Sequence, residues 1–274
     1  MKDWRSFTKS TRYLLEAREV SFVRQSRNIL GNISFTLQTG EHTVILGKNG
    51  SGKSTLVNLL YGTEWPTSGQ LLFDGQAYGQ IPIREIQKKT AIVQSAHQSA
   101  SVQSGLTAGD IIMTGLFGTI GYYQEPSPEQ QDKVSAILRE HKLEYLENRP
   151  YSTLSDGEKK KILLLRAVIN NPSLLVLDEP CSSFDIAARE DFFSILDKCR
   201  ETSEFSSVLI THRLDEIPPF YTKGILLKEG EILAWGQLED ILTGPLVSRT
   251  YGLPLEVVSK NGRHQAMVIS KPLP

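Results

Sequence analysis

Apolar positions along the chain fall into short runs separated by longer stretches of helical spacing. Residues 20–23 and 33–37 are β-like runs divided by polar turns. The run 43–46 leads into a glycine-rich loop, and 56–61 beyond it has helical character. Residues 70–73 read as a strand closing in an Asp74-Gly75 turn. Residues 91–93 form another short strand, opening a polar stretch over 94–104 that is rich in Ser and Gln. Residues 107–149 look helical but are interrupted by Gly115, Gly118, Gly121, Pro126 and Pro128. Their clearest helix is 132–141, with Val134, Ile137 and Leu138 at helical spacing. A second long helix is predicted over 156–170, stopped by Asn171-Pro172. Residues 174–177 are wholly apolar, the pattern of a strand covered on both faces in a parallel sheet. A helix over 185–199, a buried strand over 207–210, a hairpin over 224–235 turning at Glu229-Gly230 and a short helix over 238–242 follow. The tail has weak strand signals. Strands alternating with helices predict an α/β fold with a parallel core.

Composition narrows the classes. The 274 residues, 39% of them apolar, suffice for one large α/β domain or two small ones. Thirty basic against 31 acidic residues leave a net charge of −1, so no global field draws the chain to nucleic acid or an anionic membrane. Trp4, Trp65 and Trp235 are scattered and make no stacking platform, and no direct nucleic-acid partner is expected. Two cysteines, Cys181 and Cys199, and no recognisable leader point to an intracellular, reducing compartment. The apolar runs fall far short of the roughly 18 residues a membrane span requires.

The chemistry centres on Gly47-Lys48-Asn49-Gly50-Ser51-Gly52-Lys53-Ser54-Thr55. Strand, glycine loop and helix in that order form a phosphate cradle. The glycines let backbone N–H groups converge on one anion, and the helix start adds its partial positive charge. On this reading Lys53 meets the β- and γ-phosphates of a nucleoside triphosphate and the Ser54 hydroxyl is a Mg²⁺ ligand. Leu174 to Glu179 supplies the second half: an apolar strand ending in Asp178 and Glu179, which at a sheet edge face the same crevice as the loop. Asp178 is placed to hold Mg²⁺ and Glu179 to orient or deprotonate the attacking water. In Leu154-Ser155-Asp156-Gly157-Glu158, Ser155 and Glu158 match a capping box that opens a helix, while Gly157 bares backbone N–H groups in its first turn.

These segments, taken in order, resemble the motifs of ATP-binding-cassette (ABC) ATPases, whose signature commonly reads Leu-Ser-Gly-Gly-Gln. The resemblance covers about 18–245 and implies a P-loop NTPase with a parallel-sheet core, an antiparallel β subdomain and an inserted helical subdomain near 96–165. An N-terminal arm over 1–17 and a tail over 246–274 flank it. It also implies that Ser155, Gly157 and Glu158 complete the ATP site of a second subunit. Ser182-Ser183-Phe184-Asp185 is similar to the loop that couples the two sites, with Phe184 where leucine is commoner. Ile210-Thr211-His212-Arg213 resembles the switch, with His212 at the γ-phosphate. Gln94 is taken as the further Mg²⁺ contact, with Ser95 and Gln98 as alternatives. The adenine-stacking aromatic falls near position 24, where Arg24 stands with Phe22 two residues earlier; a guanidinium plane can stack on a base.

The resemblance implies a Mg²⁺-dependent ATPase subunit that works as a head-to-tail dimer and drives separate membrane permease subunits from the cytoplasmic face. The alternative is a stand-alone soluble cassette acting in repair, translation or regulation. Gly115 to Tyr122 and Ile217-Pro218-Pro219-Phe220 are similar to a bacterial branch of single cassettes associated with molybdate transport or left without an assigned transporter, and the tail to cassettes of iron-siderophore and cobalamin importers.

Overall fold

In a computed structural model the chain is described over residues 13–94, 105–119, 121 and 125–269. Residues 1–12 of the expected arm, the polar stretch from Ser95, and Gln98 within it, lie outside the described residues.

Five parallel strands form the centre: β3 (His42–Leu46), β6 (Thr90–Gln94), β7 (Leu174–Asp178), β8 (Ser206–Thr211) and β9 (Lys223–Lys228). With β10 (Glu231–Gln237) added antiparallel at one edge, the order is β10-β9-β3-β8-β7-β6. Their continuous apolar character has a direct cause, because alternate residues enter two different cores. Val44, Leu46, Leu175, Leu177, Leu209 and Leu226 face a helical layer, while Ile45, Leu174, Val176, Val208, Ile210, Ile225 and Leu227 face the other side.

That other side is closed by an antiparallel sheet, β2-β1-β4-β5, built from β1 (Tyr13–Arg24), β2 (Arg27–Gln38), β4 (Ser68–Phe73) and β5 (Gln76–Ala77). Helix α1 (Lys53–Tyr61) shares this core through Leu56, Val57, Leu59 and Leu60. The Asp74-Gly75 and Glu229-Gly230 turns occur as read, with positive φ at all four residues. Helix α2 (Ile83–Lys89) was not foreseen, because its one buried residue, Ile86, leaves no periodic signal.

The first strand corrects the arm boundary. It begins at Tyr13 and buries Leu14, Leu15 and Ala17, so only residues up to 12 remain for an arm. Its alternation is broken by a bulge between Ala17 and Val20, with Glu19 at φ 52°, which interrupts the two-residue period that would mark a strand. Gly69 sits against this bulge; a Cβ there would stand 2.2 Å from the Glu19 carbonyl oxygen.

Between β6 and β7 lie the helices α3 (Ala108–Phe117), α4 (Pro128–Glu140) and α5 (Asp156–Val168), each opened by a capping box, and α6 (Ile186–Thr202) follows β7. They pack on the helical face of the sheet, as an inserted helical block does. At the far end come α7 (Leu238–Ile241), α8 (Gly244–Tyr251) and a hairpin of β11 (Leu255–Lys260) and β12 (Arg263–Val268). Helix α8 runs across the expected boundary at 245, and its Val247 joins the helical-side core, so the tail is continuous with the main body. Among the described residues no helix is long and apolar enough to cross a membrane.

Leu209 is fully buried in a central strand, whereas Leu253 is 38% exposed. Leu209→Ala should cost about 2–5 kcal/mol in urea unfolding and Leu253→Ala less than about 0.5 kcal/mol. Equal effects would contradict the core described.

Candidate nucleotide site

The phosphate loop joins β3 to α1. Gly50 and Gly52 take positive φ, 80° and 103°, and the chain turns so that the Ser51 N–H donates to the Lys48 carbonyl at 3.1 Å. Gly47 has a steric reason: a Cβ would lie 2.4 Å from the Leu227 carbonyl oxygen and 2.5 Å from Ser51 Oγ. The Ser51 hydroxyl oxygen is buried with no hydrogen-bond partner. Helix α1 has Gly52 as its N-cap, with no side-chain cap and no acidic residue in its first turn. Its leading N–H groups and positive dipole end are therefore open to an anion, whereas at the starts of α3, α4 and α5 a capping side chain occupies the third amide and leaves only the first two without partners in the helix. Asn49, Gly50 and Ser54 are exposed and Thr55 is partly so.

Lys53 is 5% exposed and donates to the carbonyls of Gly47 at 2.8 Å and Lys48 at 3.0 Å, with Glu179 Oε1 3.7 Å away. Burial pulls its pKa down, while the Glu179 and Asp178 carboxylates pull the other way. Asp178, the last residue of β7, has its carboxyl held above the usual range by burial and then by the Glu179 charge, against hydrogen bonding from Gln94. Gln94 Nε2 donates to Asp178 Oδ2 at 3.3 Å, so the residue favoured from the sequence does reach the carboxylate; Ser95 and Gln98 lie outside the described residues. Glu179 adopts φ 47°, unusual for a residue with a side chain, held by its N–H donating to the Ile210 carbonyl at 2.9 Å. His212 Nδ1 lies 3.1 Å from Glu179 Oε1.

The donor set suits Mg²⁺. Ser54, Asp178 and Gln94 offer only oxygens to a cation, the hard ligands that ion takes. No group of three or more His, Cys, Asp or Glu side chains able to hold a metal occurs among the described residues. One carboxylate aided by substrate phosphates, rather than a protein cage, is the usual way Mg²⁺ is held.

The start of α5 stands apart from this loop. The Glu158 N–H donates to Ser155 Oγ at 3.2 Å, and the Ser155 N–H and hydroxyl each donate to Glu158 Oε2 at 2.9 Å. Hydrogen bonds from Ser155 hold the Glu158 carboxyl below its usual range. The box leaves the first-turn amides of Asp156 and Gly157 without intrahelical acceptors. Nothing lies within 4 Å of where a Gly157 Cβ would stand. Asp185 caps α6, accepting from the Ala188 N–H at 2.7 Å, so its carboxylate is committed to its own helix.

The base platform needs a correction. Phe22 is buried among the β1, β2 and α1 side chains, because the bulge turns it inward. Arg24 lies over its ring, 5.3 Å from the centroid, and is ion-paired with Glu64. Of the two, only Arg24 presents a flat group outward. A contact the sequence did not suggest joins the tail to the switch: the Tyr251 hydroxyl donates to the His212 carbonyl at 2.9 Å. These residues stand 39 apart, and no local pattern marks such a pair.

The family model described as ABC transporter matches residues 30–182. The ABC transporter ATP-binding protein YlmA of Bacillus subtilis (strain 168) is 33% identical over 91% of this chain and 95% of its own length. The hemin import ATP-binding protein HmuV of Escherichia coli O157:H7 is 26% identical over 93% of this chain and 99% of its own. Among solved structures, cbiO1 of Clostridium perfringens, part of the cbiONQ transporter complex, superimposes with a TM-score of 0.75 at 25% identity, covering 87% of this chain and 94% of that one.

Contacts at Gly47 and Gly157 give opposite expectations. Gly47→Ala should destabilise the fold by about 1–3 kcal/mol through overpacking against backbone. Gly157→Ala should be neutral or stabilise by up to about 1 kcal/mol, since it adds helix propensity in open space. Thermal unfolding of both variants decides; a loss at Gly157 as large as at Gly47 would rule out the open helix start.

Proposed function

The chain belongs to the ABC transporter family as an ATP-binding, ATP-hydrolysing cassette, and from that membership we propose that two copies stack head to tail with ATP between them. The observation that carries this is the start of α5: a boxed helix N-terminus where, among the described residues, nothing outside the helix stands within 4 Å of a Cβ placed on Gly157. A second helix start with two uncommitted first-turn amides is superfluous for one nucleotide bound to one chain. It has a use if Ser155 and the Asp156 and Gly157 amides approach the γ-phosphate held on the partner's phosphate loop.

In each composite site the Gly47–Thr55 loop amides and Lys53 hold the triphosphate, and Arg24 lies against the base. Ser54, Asp178 and Gln94 would hold Mg²⁺, which would supply positive charge to offset that of the triphosphate. Glu179 accepts the proton of the attacking water and His212 steadies both Glu179 and the γ-phosphate, consistent with their 3.1 Å contact. Asp185, fixed as a helix cap, keeps the coupling loop in place beside the interface. Most of the rate enhancement comes from such preorganised donors rather than covalent chemistry.

Relatives named as transporter subunits support coupling to separate membrane permeases at the cytoplasmic face. A groove of about 980 Å³ between the end of α1, α2, α3 and α5 offers the docking place. Arg84, Gln87, Thr114, Phe117 and Arg166 line it, and Gln94, which also lines it, donates to Asp178. The likeness to molybdate-associated cassettes rests on two short segments, whereas the hemin import protein aligns along nearly the whole chain. Import of a metal-bearing cargo is the reading this favours.

Glu179→Gln should abolish turnover while trapping an ATP-bound dimer, seen as a doubled mass by light scattering. Near-normal hydrolysis by this variant would remove Glu179 from its role. Ser155→Arg should bind ATP with unchanged affinity and not hydrolyse it, and wild-type kinetics there would refute the shared site.

A further inference from the structure

The turn carrying His212 is held from below and from the tail. Below it, the Thr211 hydroxyl donates to the buried Glu216 carboxylate and accepts from the Arg213 N–H at 3.1 Å. From the tail, Tyr251 at the end of α8 donates its hydroxyl to the His212 carbonyl at 2.9 Å. Burial drives the Tyr251 pKa well above its usual value, so the phenol stays a donor at any working pH.

Helix α8 is itself pinned, with Val247 and Thr250 buried and the Ser248 hydroxyl accepting from the Leu255 N–H at 2.8 Å. Gly252, the next residue, borders the phosphate loop: Lys48 Nζ lies 3.8 Å from where its Cβ would stand. Beyond it, β12 packs on the 3₁₀ turn Leu214–Glu216 that continues the switch. Gly262 at the hairpin tip abuts Pro219, and Arg263 is ion-paired with Glu190 on α6. The tail thus touches the switch, its following turn and the phosphate loop together.

We infer that Tyr251 is a positioning residue for hydrolysis, its hydroxyl fixing the peptide from which the His212 imidazole reaches Glu179. This rests on the reading of His212 given above. The His212 carbonyl cannot rotate without losing its bond from the partly buried Tyr251 hydroxyl, and imidazole placement follows the peptide. Small misplacements at a reacting centre are costly in rate while leaving substrate binding intact.

Tyr251→Phe keeps the ring and removes only the donor. It should lower kcat about 5- to 10-fold, with the KM for ATP and the melting temperature nearly unchanged. In a His212→Gln background, read by single-turnover hydrolysis, the same change should alter the rate less than 2-fold, because the group it positions has gone. An unchanged kcat in Tyr251→Phe overturns the inference. So does a joint loss of kcat, KM and melting temperature, which marks a packing role, or an undiminished effect in the His212→Gln background. Normal turnover by His212→Gln alone would instead overturn the underlying role of His212.

Discussion

The row of residues across the ends of four parallel strands is the constraint on which the rest depends. Leu46, just before the phosphate loop, pairs with Thr211, just before His212; Ile210 pairs with Asp178, and Asp178 with Gln94. The phosphate loop, the switch, the carboxylates and the glutamine therefore emerge at one level from one sheet edge. Because side chains alternate with a period of two, a slip of one residue in any ladder would turn Asp178 or Thr211 to the opposite face. The two cores enforce that register, since each strand commits alternate residues to different layers. Packing on both faces is thus what makes the site geometry reproducible.

Strain and burial concentrate where that row meets solvent. Glu179 leaves the strand in a left-handed conformation that costs on the order of 1–2 kcal/mol, held by one backbone hydrogen bond to β8. The departure from the strand brings its carboxylate to 3.1 Å from His212 and 3.7 Å from Lys53. Continuing as a strand would have sent Glu179 to the face opposite Asp178.

Legibility in the sequence followed distance along the chain. The phosphate loop, the Ser155–Glu158 box, the strand ending at Asp178 and the two turns with glycine at their second position were readable, because each is set by residues within a few positions. Phe22 was not, since its burial depends on a bulge two strands wide whose partner residues are remote. Helix α2 buries one residue and so leaves no period to detect. The tail looked separable because its strands carry a weak pattern. Its attachment depends instead on Tyr251, Gly262 and Arg263, each meeting a residue far away in the chain.

The crowding of Asp178, Glu179 and Lys53 carries a consequence for the lifetime of the subunit. Burial disfavours the charged form of both Asp178 and Lys53, opposed in part by their attraction for each other. A ligand present at a hundred times its dissociation constant adds about 2.7 kcal/mol to the native state. By the same linkage, a subunit whose phosphate loop is filled opens to proteases less often than one whose loop is bare.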